Sequence, residues 1–167
     1  GTIHCSGKNA MVLEISATPY IFTFKLWDWG RVDLDGKPRP IPIDHGLANI
    51  QWDRDTAFCE QNLLHQDTPG AEGEAGSVGR TGLAEREFLD TFRFTTDSAL
   101  DVPRDGSVHM LNLVEGDEAR ITSPAGALEP FAVPYAQTFI LPEAAGAYRI
   151  ESPAGQTIRV IMARVRG

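Results

Sequence analysis

The feature that most constrains the fold is a series of short strand-like runs in the second half of the chain. Turn signals rich in Gly, Pro and Asp separate these runs, among them Glu115-Gly116-Asp117 and Pro153-Ala154-Gly155. Strands that recur at intervals of roughly 8 to 12 residues indicate an all-β sandwich or barrel. We therefore predict a small closed β fold over residues 87–167, with strands in Phe88–Phe94, Val108–Val114, Ala119–Thr122, Phe131–Val133, Thr138–Leu141, Tyr148–Glu151 and Thr157–Val165.

The first 37 residues carry two further runs of β-forming residues. Ala10–Ser16 and Tyr20–Trp27 are rich in Val, Ile, Phe and Tyr, and Thr18-Pro19 interrupts them. The pattern predicts two strands joined by a turn. The Gly and Pro residues of Asp33–Pro42 then exclude regular structure, because proline removes a donor and restricts its predecessor.

Two short helices and a linker are predicted between these regions. Within residues 38–65, Asp44 is a candidate N-cap for one or two helical turns, and Asp55 for a second helix that runs through Leu64. Gln66–Ala84 is dense in Gly, Ala and small polar residues. It has little to bury, and residues 66–86 are predicted to form a flexible linker.

Composition excludes several classes of partner. The chain has 167 residues, with 15 Lys and Arg against 23 Asp and Glu, for a formal charge of -8. Nucleic acids and anionic membranes are bound by clustered basic residues, so neither is an expected partner. No apolar run approaches the roughly 20 residues of a membrane helix. We expect a cytoplasmic protein whose two cysteines, Cys5 and Cys59, are reduced thiols.

Candidate chemistry rests on three residues. His4 follows Gly1-Thr2-Ile3 at the start of the chain, and imidazole is a common zinc ligand. One histidine does not make a site, however, since zinc needs three or four donors and no His-x-His or Cys-x-x-Cys spacing occurs. Lys25 and Arg31 either contact an anion in a cleft, or Arg31 forms a surface ion pair with a neighbouring aspartate, Asp28 or Asp33.

The first 40 residues resemble the second half of the catalytic cupin of class I mannose-6-phosphate isomerases. The blocks that carry the resemblance, in the family's order and spacing, are Gly1-Thr2-Ile3-His4, Val12-Leu13-Glu14-Ile15, Phe24-Lys25-Leu26-Trp27-Asp28-Trp29-Gly30-Arg31 and Asp35-Gly36-Lys37-Pro38-Arg39. The resemblance implies a cupin, or jelly-roll, barrel over residues 87–167. It also implies that residues 1–37 are the last strands of another cupin.

The resemblance implies a zinc-dependent aldose–ketose isomerase that acts on a sugar phosphate. In the family a Gln, a Glu and two His residues hold the zinc, and the His of the Gly-Thr-x-His block corresponds to His4. The other three ligands precede that block in the family and are expected outside this chain. Lys25 takes the place of the family's active-site Arg, and Arg31 that of the second Arg. Lysine keeps the positive charge but lacks the planar guanidinium group that can donate two parallel hydrogen bonds to one anion.

Residues 87–167 resemble the family's second, metal-free cupin. The position expected for a metal-binding Glu holds His109, and the two expected His positions upstream hold no histidine. His109 is therefore predicted to be structural, and this barrel to support the other rather than catalyse.

Two functions from different classes follow. The first is an isomerase of which this chain is the C-terminal part, inactive alone. Its missing N-terminal strands would come from another polypeptide or a second copy, because an unpaired hairpin exposes edges and an apolar face. The second is a non-catalytic sugar-binding or regulatory cupin protein.

Overall fold

The structure, a computed structural model, describes residues 1–16, 24–64, 67–68, 70, 72–81 and 88–166. The chain divides into two compact units, Gly1–Leu64 and His65–Gly167. Among the described residues, no helix is long and apolar enough to cross a membrane.

Two short helices form in the first unit. Helix α1 spans Ile43–Ala48 and helix α2 spans Thr56–Asn62. The prediction that Asp55 caps the second helix is confirmed, since its side chain accepts a hydrogen bond from the Phe58 N–H at 2.9 Å. The prediction that Asp44 caps the first helix is wrong. Pro42 occupies the N-cap position, and Asp44 lies within the first turn, where its charge still favours the helix dipole.

The remainder of the first unit has little regular structure. The strand predicted over Ala10–Ser16 is not formed: these residues belong to none of the described strands, and their side chains are exposed. Phe24–Trp27 is also not a strand, and the earlier residues of the second predicted strand lie outside the described part. A single antiparallel bridge joins Val32 to Pro38. Strands depend on partners, and β-forming composition alone does not supply one.

The second unit consists of two antiparallel sheets, as the spacing of strand-like runs predicts. The strands are β1 Asp67–Thr68, β2 Glu72–Gly73, β3 Gly76–Thr81, β4 Leu89–Thr96, β5 Ala99–Val102, β6 His109–Glu115, β7 Glu118–Thr122, β8 Phe131–Pro134, β9 Thr138–Leu141, β10 Tyr148–Glu151 and β11 Ile158–Val165, with a short 3₁₀ helix at Glu143–Ala145. The larger sheet has the order β1-β3-β4-β11-β6-β9, with β2 on β3, and the smaller sheet the order β5-β10-β7-β8.

The core lies between the inner faces of these strands. Alternate residues at the start of β6 (His109, Leu111 and Leu113) and of β11 (Ile158, Val160 and Met162) are buried, as expected where one face of a sheet packs inward. The fully buried side chains are large and mostly apolar: Tyr148, Leu111, Leu113, Ile121, Ile150, Ile158, His109, Val133 and Val160. The interior of the unit is therefore filled by its own side chains.

The segment predicted as a flexible linker carries strands β1, β2 and β3. The prediction of no regular structure is wrong for the described residues of this segment. Strand β3 pairs along its length with β4, from Ser77 opposite Thr95 to Thr81 opposite Thr91. Main-chain hydrogen bonds order this strand although its small side chains give little strand signal.

Candidate functional site

His4 lies on a segment that two hydrogen bonds fasten to residues 51–54. The Gln51 N–H donates to the Gly1 carbonyl at 3.0 Å, and the Arg54 guanidinium donates to the Thr2 hydroxyl at 2.7 Å. The His4 ring is exposed, with Nδ1 at 3.2 Å from the Thr2 carbonyl oxygen. The imidazole is thus accessible at the surface of the first unit.

The residues around His4 do not form a zinc site by themselves. In the described ranges, no group of three or more His, Cys, Asp or Glu side chains comes close enough together to hold a metal ion. Zinc takes three or four protein donors. The chain therefore fits zinc only as the source of one ligand.

A tight turn over residues 28–31 lies between Lys25 and the side chain of Arg31. The Arg31 N–H donates to the Asp28 carbonyl at 2.9 Å, and the two central residues, Trp29 and Gly30, have φ angles of 57° and 64°. Positive φ at both central positions is the geometry of a type I′ turn. It is unusual for a residue as bulky as Trp29.

The buried carboxylate of Asp28 is the electrostatic centre of this turn. Lys25 Nζ donates to Asp28 Oδ1 at 2.9 Å, so the ion pair of Asp28 is with Lys25, whereas an ion pair with Arg31 is one of the alternatives that the sequence leaves open. The hydrogen bond from Lys25 is the main cause that lowers the pKa of Asp28, and the charges of Lys25, Arg31 and Arg39 add to it against the opposing effect of burial. Lys25 therefore contacts this carboxylate directly, and the charges of Arg31 and Arg39 also act on it.

An aromatic pair lies on the same turn. The ring centroids of Trp27 and Trp29 are 4.2 Å apart with an angle of 52° between the planes, and both side chains are more than half exposed. Exposed tryptophans of this kind offer an apolar face with a polar edge. With the cationic side chains of Lys25 and Arg31 in the same segment, such a surface can hold a polar ligand that carries an anionic group. No hydrogen bond or ion pair in the described part joins His4 to Lys25 or Arg31.

His109 lies in the core of the second unit and is engaged at both ring nitrogens. Nδ1 is 3.0 Å from the Tyr148 hydroxyl and Nε2 is 3.1 Å from Asp105 Oδ1. Burial raises the pKa of Tyr148, which is therefore the donor to Nδ1, while Nε2–H donates to Asp105. Neither nitrogen is available to a metal, as the predicted structural role requires.

The environment of His109 favours the neutral ring. Burial is the main cause that lowers the pKa of His109, the charge of Arg104 adds to it, and the charge of Glu143 opposes it. Asp105 would favour a protonated ring, but its carboxylate is shared with Arg164, whose positive charge offsets that effect.

This environment predicts a pH-dependent stability. Above the unfolded pKa of 6.5, the ring is neutral in both states and the free energy of unfolding is at its full value. As pH falls below 6.5, the unfolded chain binds a proton first and stability decreases, by at most about 1.4 kcal/mol per pH unit for one group. Denaturant unfolding between pH 7.5 and 5 should show this decrease, and His109→Gln should remove it.

The exposed His45 supplies the matched control for this experiment. His45→Gln should leave the pH dependence as it is in the unaltered chain. An unchanged slope in His109→Gln would assign the titration to another group.

Asp90 lies on the inner face of the larger sheet, and the sequence analysis does not identify it. Asp90 is 5% exposed and contacts Arg80, Arg164 and Arg166. The sequence does hold a signal for it. Asp90 lies two residues before Phe92 and four before Phe94, so the three side chains share the face of the strand that packs into the core. Its arginine partners at positions 164 and 166 follow from the pairing of β4 with β11, which no local pattern specifies.

Solved structures show what the fold resembles. The chain is similar to the mannose 6-phosphate isomerase of Bacillus subtilis at 13% identity, with a TM-score of 0.60 over 85% of this chain and 40% of that protein. It is also similar to an oxalate decarboxylase from Lactobacillus farciminis at 12% identity (TM-score 0.51, 62% of this chain and 32% of that one) and to HutD from Pseudomonas fluorescens at 12% identity (TM-score 0.50, 62% and 57%). No protein-family model matches the chain, and no curated protein matches it in sequence.

These likenesses establish the fold. The chain is mostly β, with two antiparallel sheets and short helices, and is cupin-like, as the sequence predicts. It spans less than half the length of the isomerase to which it is similar. Proteins of this fold that differ in activity are among the similar structures, so the fold by itself does not select a reaction.

Proposed function

We propose that this chain is the C-terminal part of a zinc-dependent aldose–ketose isomerase that resembles mannose-6-phosphate isomerases and acts on a sugar phosphate. The observation that supports the proposal is the turn around Asp28, a carboxylate that Lys25 contacts and on which the charge of Arg31 also acts, in the block that resembles the family's active site. The likeness to the isomerase supports it, because a match over 85% of the chain extends beyond the second unit into Gly1–Leu64.

The two units would contribute differently to such an enzyme. The second unit, with its filled interior, would support the catalytic barrel. In the first unit, Lys25 and Arg31 would hold the anionic substrate and stabilise negative charge on the sugar oxygens while a proton leaves C2 and is returned to C1. His4 would supply one ligand to a zinc ion whose remaining donors lie outside this chain.

The first unit has exposed apolar side chains that a further polypeptide would cover. Ile3, Met11, Val12, Phe24 and Leu34 are all large, apolar and exposed. Proteins rarely leave such residues uncovered in number. Strands from another polypeptide or from a second copy would cover them, and the chain alone is then expected to be inactive.

An assay on two proteins tests this function. The chain alone should not convert mannose 6-phosphate to fructose 6-phosphate, whereas a protein that also contains the residues encoded upstream of Gly1 should do so and bind one zinc. His4→Ala in that longer protein should lower zinc affinity and turnover at least about 100-fold, since even the outer partners of zinc ligands are worth 10–100-fold. His45→Ala is the matched control and should retain both.

Turnover by the chain alone would contradict the proposal. So would a longer protein whose zinc content and activity are unchanged by His4→Ala.

The exposed pair Trp27 and Trp29 favours a second candidate, a non-catalytic sugar-binding protein. In that case hexose phosphates should change the tryptophan fluorescence without turnover by the longer protein. Trp27→Ala should abolish the change, and Trp52→Ala, at an equally exposed third tryptophan, should not.

A further inference from the structure

The outer face of the larger sheet carries a row of polar side chains that crosses five strands. The strand register places five residues opposite one another in turn, one on each of β2, β3, β4, β11 and β6: Glu72, Ser77, Thr95, Arg159 and Glu115. Residues that lie directly opposite each other share one face of a sheet. Since neighbouring strands lie about 4.8 Å apart, this polar row is roughly 19 Å long.

One member of the polar row faces outward only because of a bulge in β6. Leu113 is fully buried and lies opposite Val160, so regular alternation would also turn Glu115 inward. The register shifts between Arg159 and Val160, and one extra residue, Val114, is inserted on β6. Glu115 is thereby turned to the outer face, where its carboxylate contacts Arg159. Bulges of this kind often redirect a side chain next to a functional site.

The polar row lines a groove of about 600 Å³, which is a volume typical of small-ligand sites. Gly79 also lines the groove, two residues from Ser77 and on the same face of β3. A Cβ atom at position 79 would lie 3.6 Å from the Thr68 carbonyl oxygen, which is an ordinary contact. Packing therefore does not require glycine here, and the missing side chain leaves space in the groove.

Two hydroxyls in the groove have hydrogen-bonding capacity that the protein does not use. Ser77 and Thr95 are half-buried, and neither hydroxyl forms a hydrogen bond with a residue that the structure describes. Each hydroxyl can donate one hydrogen bond and accept two. Because the two residues lie opposite each other on adjacent strands, one ligand can contact both.

The charges of the polar row favour a ligand without net charge. Arg159 is already in contact with Glu115, whereas Glu72 forms no ion pair with a described residue and would repel an anion. A cation in the groove would lie close to the guanidinium groups of Arg159 and Arg93, which both line it. An uncharged ligand avoids both repulsions.

We propose that this groove binds an uncharged polyhydroxylated molecule, such as a linear oligosaccharide, along the polar row. Each hydroxyl of such a ligand both donates and accepts, so it can pair with the protein's hydroxyls, carboxylates and guanidinium groups alike. The length of the row exceeds that of one sugar ring and suits several linked rings. The site is independent of the proposed isomerase function, because all of its residues lie in the second unit.

Nuclear magnetic resonance of the full chain, with maltotriose as the probe, tests the site. The backbone amide signals of Ser77, Gly79 and Thr95 should shift in a saturable way, with a dissociation constant of about 1–10 mM. Glucose should bind more weakly, because it covers only part of the polar row. Trp27→Ala should leave these shifts unchanged, which separates this site from sugar binding by the first unit. Shifts that are absent or do not saturate at about 50 mM maltotriose would overturn the proposal.

Three sugars that share one ring test the class of ligand. Glucose should bind at least as tightly as the cationic glucosamine, and the anionic glucuronate should bind most weakly because of Glu72. Glu72→Gln should remove most of the discrimination against glucuronate. Tighter binding of glucuronate or glucosamine than of glucose would show that the site does not prefer an uncharged ligand.

Substitutions of the two hydroxyls locate the site. Ser77→Ala and Thr95→Val should each weaken maltotriose binding about 3–10-fold, the effect of one lost hydrogen bond, and the double variant should weaken it more. Thr91→Val is the matched control. Thr91 lies on the same strand and face as Thr95 but outside the groove, and its hydroxyl donates to the Thr81 carbonyl. Its affinity for maltotriose should equal that of the unaltered chain.

Gly79→Ala tests the shape of the groove. The added methyl group should weaken maltotriose binding about 3-fold or more by taking up space, while the thermal midpoint stays the same or rises, since alanine costs less than glycine in a strand. If the double hydroxyl variant does not fold, Gly79→Ala and the single variants decide. Unchanged affinity in Gly79→Ala and in both single variants would place the bound sugar elsewhere and contradict the proposal.

Discussion

Replacing Asp90 with alanine should lower the free energy of unfolding by about 2–4 kcal/mol. Removal of one partner from a buried ion pair costs about 3–5 kcal/mol, because it leaves an uncompensated charge. The value expected here is somewhat smaller, since Arg80, Arg164 and Arg166 are partly exposed and water can reach them. Urea unfolding at pH 7 in chloride measures the loss.

Asp101 supplies the control for this prediction. It accepts two hydrogen bonds from Arg149, at 2.7 and 2.9 Å, but its side chain is 65% exposed. Asp101→Ala should therefore cost no more than about 1 kcal/mol. Equal losses from the two substitutions would show that burial of Asp90 does not determine its contribution.

Asp90 and His109 should lose their contributions to the free energy of unfolding in different pH ranges. Burial is the largest single influence on the pKa of Asp90 and raises it, but the hydrogen bond from Arg80 and the charges of Arg80, Arg166 and Arg164 together lower it below its ordinary value. Its contribution is therefore fully present above the ordinary value of 3.8 and is lost as pH falls below it. The contribution of His109 is lost in the window that begins at 6.5.

The fold of the second unit could be predicted from the sequence because its strands alternate clearly and its turns carry Gly and Pro. Thr138–Leu141 and Tyr148–Glu151 have the predicted bounds, and the other predicted strands differ by one or two residues at their ends. Strand β5 was missed because its four residues, Ala99–Val102, include an aspartate and are too few to show a period.

Strands that depend on distant partners could not be predicted. Strand β3 contains two glycines and a serine, and it is ordered by hydrogen bonds to β4. The opposite error occurs at Ala10–Ser16, which has the composition of a strand but belongs to no strand of the described part of the chain. In both cases pairing outweighs propensity.

The two clusters of charged residues, around Asp28 and around Asp90, also differ in whether local sequence can predict them. Lys25, Asp28 and Arg31 lie within seven residues, so a local turn brings them together and the sequence indicates their proximity. Arg80 and Arg166 are 86 positions apart, and only the register of β3, β4 and β11 places them on one carboxylate. Charge clusters of this second kind become visible only when the strand pairing is known.

Replacing Leu113 with alanine should destabilise the chain by about 2–5 kcal/mol. Its side chain is fully buried among the core residues of both sheets. Truncation removes the transfer free energy of its methyl groups and leaves a cavity that a packed interior closes only in part. Because natural domains have only about 5–15 kcal/mol of stability, this loss should be visible as a lower urea midpoint with an unchanged m-value.

A substitution of Met110 tests whether burial is the reason for the loss of stability in Leu113→Ala. It lies on the same strand, three residues away and on the opposite face, and its side chain is 50% exposed. Met110→Ala should therefore change stability by no more than about 0.5 kcal/mol. A shift of one residue in the pairing of β6 with β11 would exchange the two faces and reverse the ranking. The difference between the two substitutions thus measures which face of β6 packs inward, and equal losses would contradict the orientation of this strand.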